Sequence, residues 1–152
     1  MPRIDQSAEI AAPIAHVYAI ARDVETFPQF MADLQALTVL ERAPDGSRTV
    51  TEWTGLIREF KMTVKWTQED LWDDAAHRDE FRMIHGDMDS MSGYWQFTEI
   101  SPGSTRFQSV LEYEYNVPLI GPMIKTLIKK KMTDNLQATM DAIKRKAEET
   151  AQ

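Results

Sequence analysis

Three polar side chains near the middle of the chain, His85, Asp87 and Asp89 in the stretch HGDMD, have types and spacing that could do chemistry. A histidine beside two carboxylates at alternate positions could hold a metal ion from one face of a strand. The glycine at 86 breaks that regularity, and no second cluster stands elsewhere in the chain. The two aspartates therefore read as solvated turn residues, and no metal or cofactor is expected. His85 shares the alternation of Phe81 and Met83, which would aim it inward. There it could orient a ligand carbonyl or move a proton; it also reads as a satisfied histidine at a strand end. His16 falls on an exposed helix face and His77 at a turn. Tyr113 and Tyr115 could donate hydrogen bonds but are poor bases at neutral pH. Arg58 sits at a strand end, and alternation puts Arg82 on the outer face. No GxSxG and no phosphate-binding glycine loop occurs.

The elements that would position these groups follow from periodicity. Residues 3–10 alternate as a strand. Pro13 opens a short helix carrying Val17, Tyr18 and Ile20. A second short helix starts near Asp23, presents Phe27, Phe30 and Met31 inward, and is interrupted by Pro28. Period two then persists through strands at 35–42 and 48–57. A third runs from Phe60, with Phe60, Met62, Val64 and Trp66 on one face, to a turn at 72–76. Further strands carry Phe81 and Met83, then Met91, Gly93, Trp95 and Phe97, then Phe107 to Tyr115. Beyond Pro118, Gly121 and Pro122 the period becomes helical, with Met123, Leu127, Met132, Leu136, Met140 and Ile143 forming one stripe. Residues 148–152 read as frayed.

One strand, two short helices, six strands and one long helix make an α+β chain. A curved seven-stranded antiparallel sheet with one apolar face needs a cover, and only the last helix is large enough to be one. A single helix cannot fill the open end of such a sheet. An apolar cavity is expected beneath it, walled by Phe27, Phe30, Trp53, Met62, Trp66, Phe81, Met83, His85, Trp95, Phe97, Tyr113, Tyr115, Met123 and Leu127. The inward aim of Trp53 depends on there being no bulge near Gly55. The glycine at 93, between Met91 and Trp95, reads as a sharp bend in the sheet or as room left beside an indole.

Bulk composition narrows the function classes. The 152 residues suit one domain spanning 1–152, and 43% apolar content is that of a globular chain. A net charge of −7 argues against general nucleic-acid binding. There is no cysteine, which removes thiolate chemistry and fits a cytoplasmic protein. The N-terminus lacks a signal-peptide pattern, and no run of apolar residues is long enough to span a bilayer. Nine Met and four Trp suit either a plastic apolar pocket or an ordinary core. The run Lys125, Lys129, Lys130 and Lys131 follows an apolar stretch beginning at Pro118. It reads either as a basic rim that touches anionic membrane transiently, making the protein peripheral to a membrane, or as the solvated face of a core-facing helix.

Several short pieces, in this order, carry a resemblance: AEIAAP at 8–13, DVETFP at 23–28, VKW at 64–66, GDMDSMSGYWQF at 86–97 and YEYNVP at 113–118, with TDNL at 133–136 in the final helix. Together they resemble the START-like helix-grip (SRPBCC, Bet v 1-like) superfamily, in its polyketide cyclase/dehydrase and lipid-transport branch, which includes coenzyme Q-binding proteins. The resemblance implies a helix-grip fold and carriage of a hydrophobic small molecule: a lipid, an isoprenoid quinone or a polyketide-like compound. It equally admits an aromatic polyketide cyclase or dehydratase, for which His85 and Tyr113 are the candidate catalytic residues and Arg58, Arg82 and Tyr115 further polar ones. A monomer or weak dimer is expected.

Overall fold

The computed structural model describes residues 2–57, 61–115 and 122–151. Seven antiparallel strands form one sheet in the order β1-β7-β6-β5-β4-β3-β2. They are β1 (Arg3–Ile10), β2 (Leu34–Arg42), β3 (Arg48–Ile57), β4 (Met62–Asp73), β5 (Arg78–Gly86), β6 (Ser90–Ser101) and β7 (Ser104–Glu114). Six consecutive strands meander because tight turns suffice for antiparallel neighbours; β1 closes on the far edge against β7. Helix α1 (Ile14–Arg22), a single 3-10 turn (Val24–Thr26) and α2 (Phe27–Phe30) link β1 to β2. The long α3 (Pro122–Thr150) crosses the sheet.

Three local readings need correction. Pro28 does not interrupt a helix: it occupies the first turn of α2, where its missing N–H costs nothing. The stretch 72–76 is not all turn, since β4 continues through Trp72 and Asp73, leaving 74–77 as the turn. The C-terminus is not frayed from 148. Glu148 accepts a hydrogen bond from the Ala11 backbone N–H at 2.8 Å, and His16 Nε2 lies 2.7 Å from Thr150 Oγ1, so the helix holds to Thr150. Phe60, Arg58, Pro118 and Gly121 lie outside the described residues.

The core is strongest where α1, α2 and the C-terminal half of α3 meet the sheet. Phe97 stacks on Phe107 with centroids 4.5 Å apart, and Met140, Ile143 and Ala147 close over them with no exposure. Each of the Phe, Met and Ile side chains contributes about 1.5–3 kcal/mol on burial. Lys144 adds a hydrogen bond from Nζ to the Glu9 carbonyl at 2.8 Å. Helix α3 is thus pinned by its C-terminal half.

Candidate functional site: an apolar cavity with an acidic end

Between the sheet and the middle of α3, from Ile128 to Arg145, lies a cavity of about 320 Å³. This falls within the range of small-molecule sites. Its walls come from Trp53, Ile57, Met62, Val64 and Trp66 on β3 and β4. Phe81, Met91, Trp95 and Leu111 come from β5 to β7, and Ile128, Met132 and Leu136 from α3. Trp53 and Trp66, directly paired across β3 and β4, stack at 5.7 Å and 11°. The irregularities that could have flipped Trp53 lie in β2, at Gln35 and Leu40, so the alternation around Gly55 survives.

Phe30, Trp53, Met62, Trp66, Phe81, Trp95 and Tyr115 reach the cavity wall. Phe27 and Phe97 do not: both are fully buried in the packed end of the core. Tyr113 and Met83 belong to the second apolar cluster, around Ile4, Val64 and Leu111. Burial, and then the neighbouring Glu114, raise the Tyr113 phenol above its ordinary pKa, which keeps it a donor rather than a base. Met123 is 83% exposed and Leu127 is half-buried. Among the described residues the helical stripe that faces the cavity starts at Ile128 and goes on to Met132 and Leu136, both in the stripe read from the sequence.

His85 is a correction of a different kind. The pairing of β4 with β5 slips between Thr67 and Gln68, leaving Ile84 as an extra residue. A one-residue bulge reverses every side chain beyond it. His85 therefore pairs with Thr67, on the face opposite Trp66, and is exposed. Asp87 closes the strand end: its N–H donates to the Lys65 carbonyl at 2.9 Å, and its Oδ2 accepts from the Lys65 N–H at 2.8 Å. Among the described residues no group of three His, Cys, Asp or Glu side chains could hold a metal ion. Arg82 lies outward and pairs with Glu69 at 2.9 Å, which also binds Arg48 at 2.6 Å.

Besides Tyr115, the cavity is lined by polar groups that the sequence reading passed over: Asn135, Thr139 and Arg145 on α3, and Gln68, Asp70 and Asp79 on the sheet. Along β4 the inward face continues from Met62, Val64 and Trp66 to Gln68 and Asp70; along β5 it begins at Asp79, one step before Phe81. The pairs Asp70–Phe81 and Trp72–Asp79 place the two aspartates diagonally on one face. Continuing the same alternation through 68 to 70 on β4, and back from Phe81 to 79 on β5, would have found both. They line the cavity with relative exposures of 4% and 2%.

These groups form a chain. The Trp66 indole N–H donates to Gln68 Oε1 at 2.7 Å, and Gln68 Nε2 donates to Asp70 Oδ1 at 2.8 Å. The Asp70 and Asp79 carboxyls hydrogen-bond to one another. Burial above all, then the charge of Asp70, pushes Asp79 well above the usual carboxylate range. Burial raises Asp70 too, against hydrogen bonds from Asp79 and Gln68 that favour its charge. The pair thus keeps a proton on Asp79 at pH values where ordinary carboxyls have lost theirs. Asp79 Oδ1 is buried and meets no N–H donor.

Comparison with known proteins gives these features a context. The sequence model of the family "Polyketide cyclase / dehydrase and lipid transport" matches residues 10–140. The Ribosome association toxin RatA of Escherichia coli K12 is 22% identical over 140 residues, covering 91% of this chain and 84% of that protein. The crystal structure of TTHA0849 from Thermus thermophilus superposes with a TM-score of 0.91 at 27% identity, covering 99% of this chain and all of that one. A Streptomyces aromatase/cyclase, Zhui, shares the fold with a TM-score of 0.90 at 15% identity, covering 99% of this chain and 96% of that one. A START superfamily protein of Mycobacterium smegmatis does so at 0.81 and 21%, covering 97% of each chain. The fold is the START/Bet v 1-like helix grip. The chain belongs to the polyketide cyclase/dehydrase and lipid-transport family.

Proposed function

We propose that this protein binds and carries a hydrophobic small molecule, a lipid, isoprenoid quinone or polyketide-like compound, without transforming it. The observation that carries this reading is the cavity itself, about 320 Å³ between α3 and the sheet, with walls built mostly from Trp, Phe, Met and branched aliphatic side chains. Burial of apolar ligand surface would supply most of the affinity. Mass spectrometry of the natively purified protein tests it: an apolar compound is expected in the extract. Protein that carries none and takes up no lipid, quinone or polycyclic probe would refute the reading.

Filling the space provides a sharper check. Leu136 lies on the cavity wall under α3. Leu136→Trp should occupy the cavity and lower probe uptake at least ten-fold, while the far-ultraviolet circular dichroism stays that of the wild type. Destabilisation is expected to stay within the roughly 1–3 kcal/mol of overpacked cores, because the new ring enters empty space.

The basic start of α3 supports transient contact with an anionic membrane during loading. Lys125, Lys129 and Lys130 are exposed there, beside exposed Met123 and close to Ile128 and Met132 on the wall. Lys130 is ion-paired with Asp134 at 3.1 Å, so Lys125 and Lys129 are the better probes. At about 1 kcal/mol per lysine near an anionic surface, Lys125→Glu with Lys129→Glu should weaken co-sedimentation with phosphatidylserine vesicles by at least ten-fold. Neutral vesicles should show no difference. Among the described residues no helix is long and apolar enough to cross a membrane.

A second reading, an aromatic polyketide cyclase or dehydratase, is favoured by one observation: an acid and a base share the cavity in Asp79 and Asp70. It rests on these aspartates, because His85 faces solvent and Tyr113 is packed in the second cluster. Asp79→Asn separates the readings. A cyclase loses turnover of a poly-ketone substrate, whereas a carrier retains uptake.

A further inference from the structure

The two flanks of α3 are held differently. On one, Lys144 donates to the Glu9 carbonyl, Glu148 accepts from the Ala11 N–H, and Thr150 lies against His16. Packing of the helix is chiefly on β1 and α1. On the other flank runs the segment from Phe30 to Leu34, which leads from α2 into β2. It lines the cavity together with Ala138, Ala142 and Arg145 of α3. Lys146 ties the two sides at one end, its Nζ 4.4 Å from the centre of the Phe30 ring. One and two helical turns back from Lys146 stand Ala142 and Ala138, which offer nothing larger than a methyl group. Among the described residues that line the cavity, only Ala32, Ala138 and Arg145 are exposed. An alanine that reaches both a cavity and solvent leaves at most a methyl group between them.

We infer that the ligand enters and leaves through this seam, between the α2–β2 segment and the flank of α3 that carries Ala138, Ala142 and Arg145. The inference rests on the proposed role of the cavity as a binding site and adds the route into it. A ring or chain compound needs the two sides to part as it passes. Parting them breaks the cation–π contact of Lys146 with Phe30 and uncovers small side chains. Parting α3 from β1 and α1 instead breaks the bonds to Glu9, Ala11 and His16. It also uncovers Met140, Ile143 and Ala147, which are fully buried. The helix therefore tilts on its β1 and α1 anchors and opens along the side of Ala32.

The chain has no cysteine, so a pair of thiols can be placed without competition. Ala32→Cys with Ala138→Cys, bridged by a short bis-maleimide, fastens the seam. The same protein capped with N-ethylmaleimide leaves it free to part. Both sites are exposed alanines, so the fold should tolerate the change. Stopped-flow fluorescence follows uptake and release of N-phenyl-1-naphthylamine, a neutral apolar probe. The bridge should slow both rates alike, by about ten-fold or more, with Kd unchanged, since a gate alters the path and not the end states. Exchange of the bridged protein at the capped rate overturns the inference and leaves the cavity reading intact. So does a bridge that will not form although both thiols react, because the two alanines then do not face one another. A Kd that shifts while the release rate stays put overturns it too, since the bridge then acts on the cavity and not on the route. A wild type that takes up no apolar probe removes the cavity reading, and the inference with it.

Discussion

Replacement of Gly93 by valine is expected to leave no folded protein. A Cβ built on this residue would lie 2.0 Å from the Val110 carbonyl oxygen and 2.9 Å from Cζ of Phe81. The first of these is backbone of the adjoining strand β7 and cannot swing away. Strand β6 faces β7 through the pair Gly93–Leu111, and β5 through Phe81–Gly93. A side chain at 93 would thus have to part β6 from β7 in the middle of the sheet. The cost should exceed about 4 kcal/mol, the range reserved for gross steric or packing defects, against a total stability of some 5–15 kcal/mol. Gly93→Ala should already be severely destabilised, because the clash begins at Cβ. Soluble yield and thermal unfolding by circular dichroism measure it. A Gly93→Val protein that folds and loses only ligand uptake would instead assign the glycine to cavity space. The ring of Phe81 already covers the position, so the glycine serves the close approach of strands.

Asp79→Asn is expected to flatten the alkaline side of the stability profile. The folded-state pKa of Asp79 is raised, chiefly by burial and then by Asp70, with a smaller push from Glu80 and an opposing pull from Arg22. A raised carboxyl pKa means that the folded protein holds a proton that the unfolded chain releases above about pH 4. Its contribution to stability is complete below the unfolded pKa and is lost as pH rises through the folded one. At pH 4 the wild type and Asp79→Asn should therefore melt close together. By pH 8 the variant should be more stable by about 1–3 kcal/mol, the usual cost of stranding a buried polar or charged group, or roughly 5 °C in Tm. The exposed Asp45 and Asp74, whose pKa values are lowered by hydrogen bonds from Ser47 and from Tyr18 respectively, act in the opposite sense and lose stability as pH falls. They are common to both proteins and drop out of the comparison. A constant gap between the two melting curves from pH 4 to pH 8 would show that Asp79 does not titrate with folding.

Much of the candidate site was legible from alternation because inward and outward positions in a strand obey one parity rule until something breaks it. Trp53, Met62, Trp66, Phe81 and Trp95 fall on the cavity wall for that reason. The same rule, carried to Gln68, Asp70 and Asp79, would have placed the acidic end. Charged residues near a turn read as solvated, and their burial depends on Arg22, Trp72 and the short helices closing over that end. His85 failed for the converse reason: one extra residue at Ile84 reverses parity, and no local residue type announces it.

The sequence by itself determined the order of elements, the antiparallel meander, the covering helix and its family resemblance, because these follow from hydrophobic period and turn chemistry, which are local. Only the tertiary structure decided where packing ends and the cavity begins. Phe27 matches the wall residues in type and Phe97 in type and parity, yet both are core, because α1 and the C-terminal half of α3 press on that end of the sheet. Trp66 and Trp95 line open space, with side chains between Ile128 and Arg145 of α3 on the same cavity's wall. The carboxyl pair belongs to the same category. Two aspartates nine positions apart share a proton only once β4 and β5 are in register and water has been excluded around them.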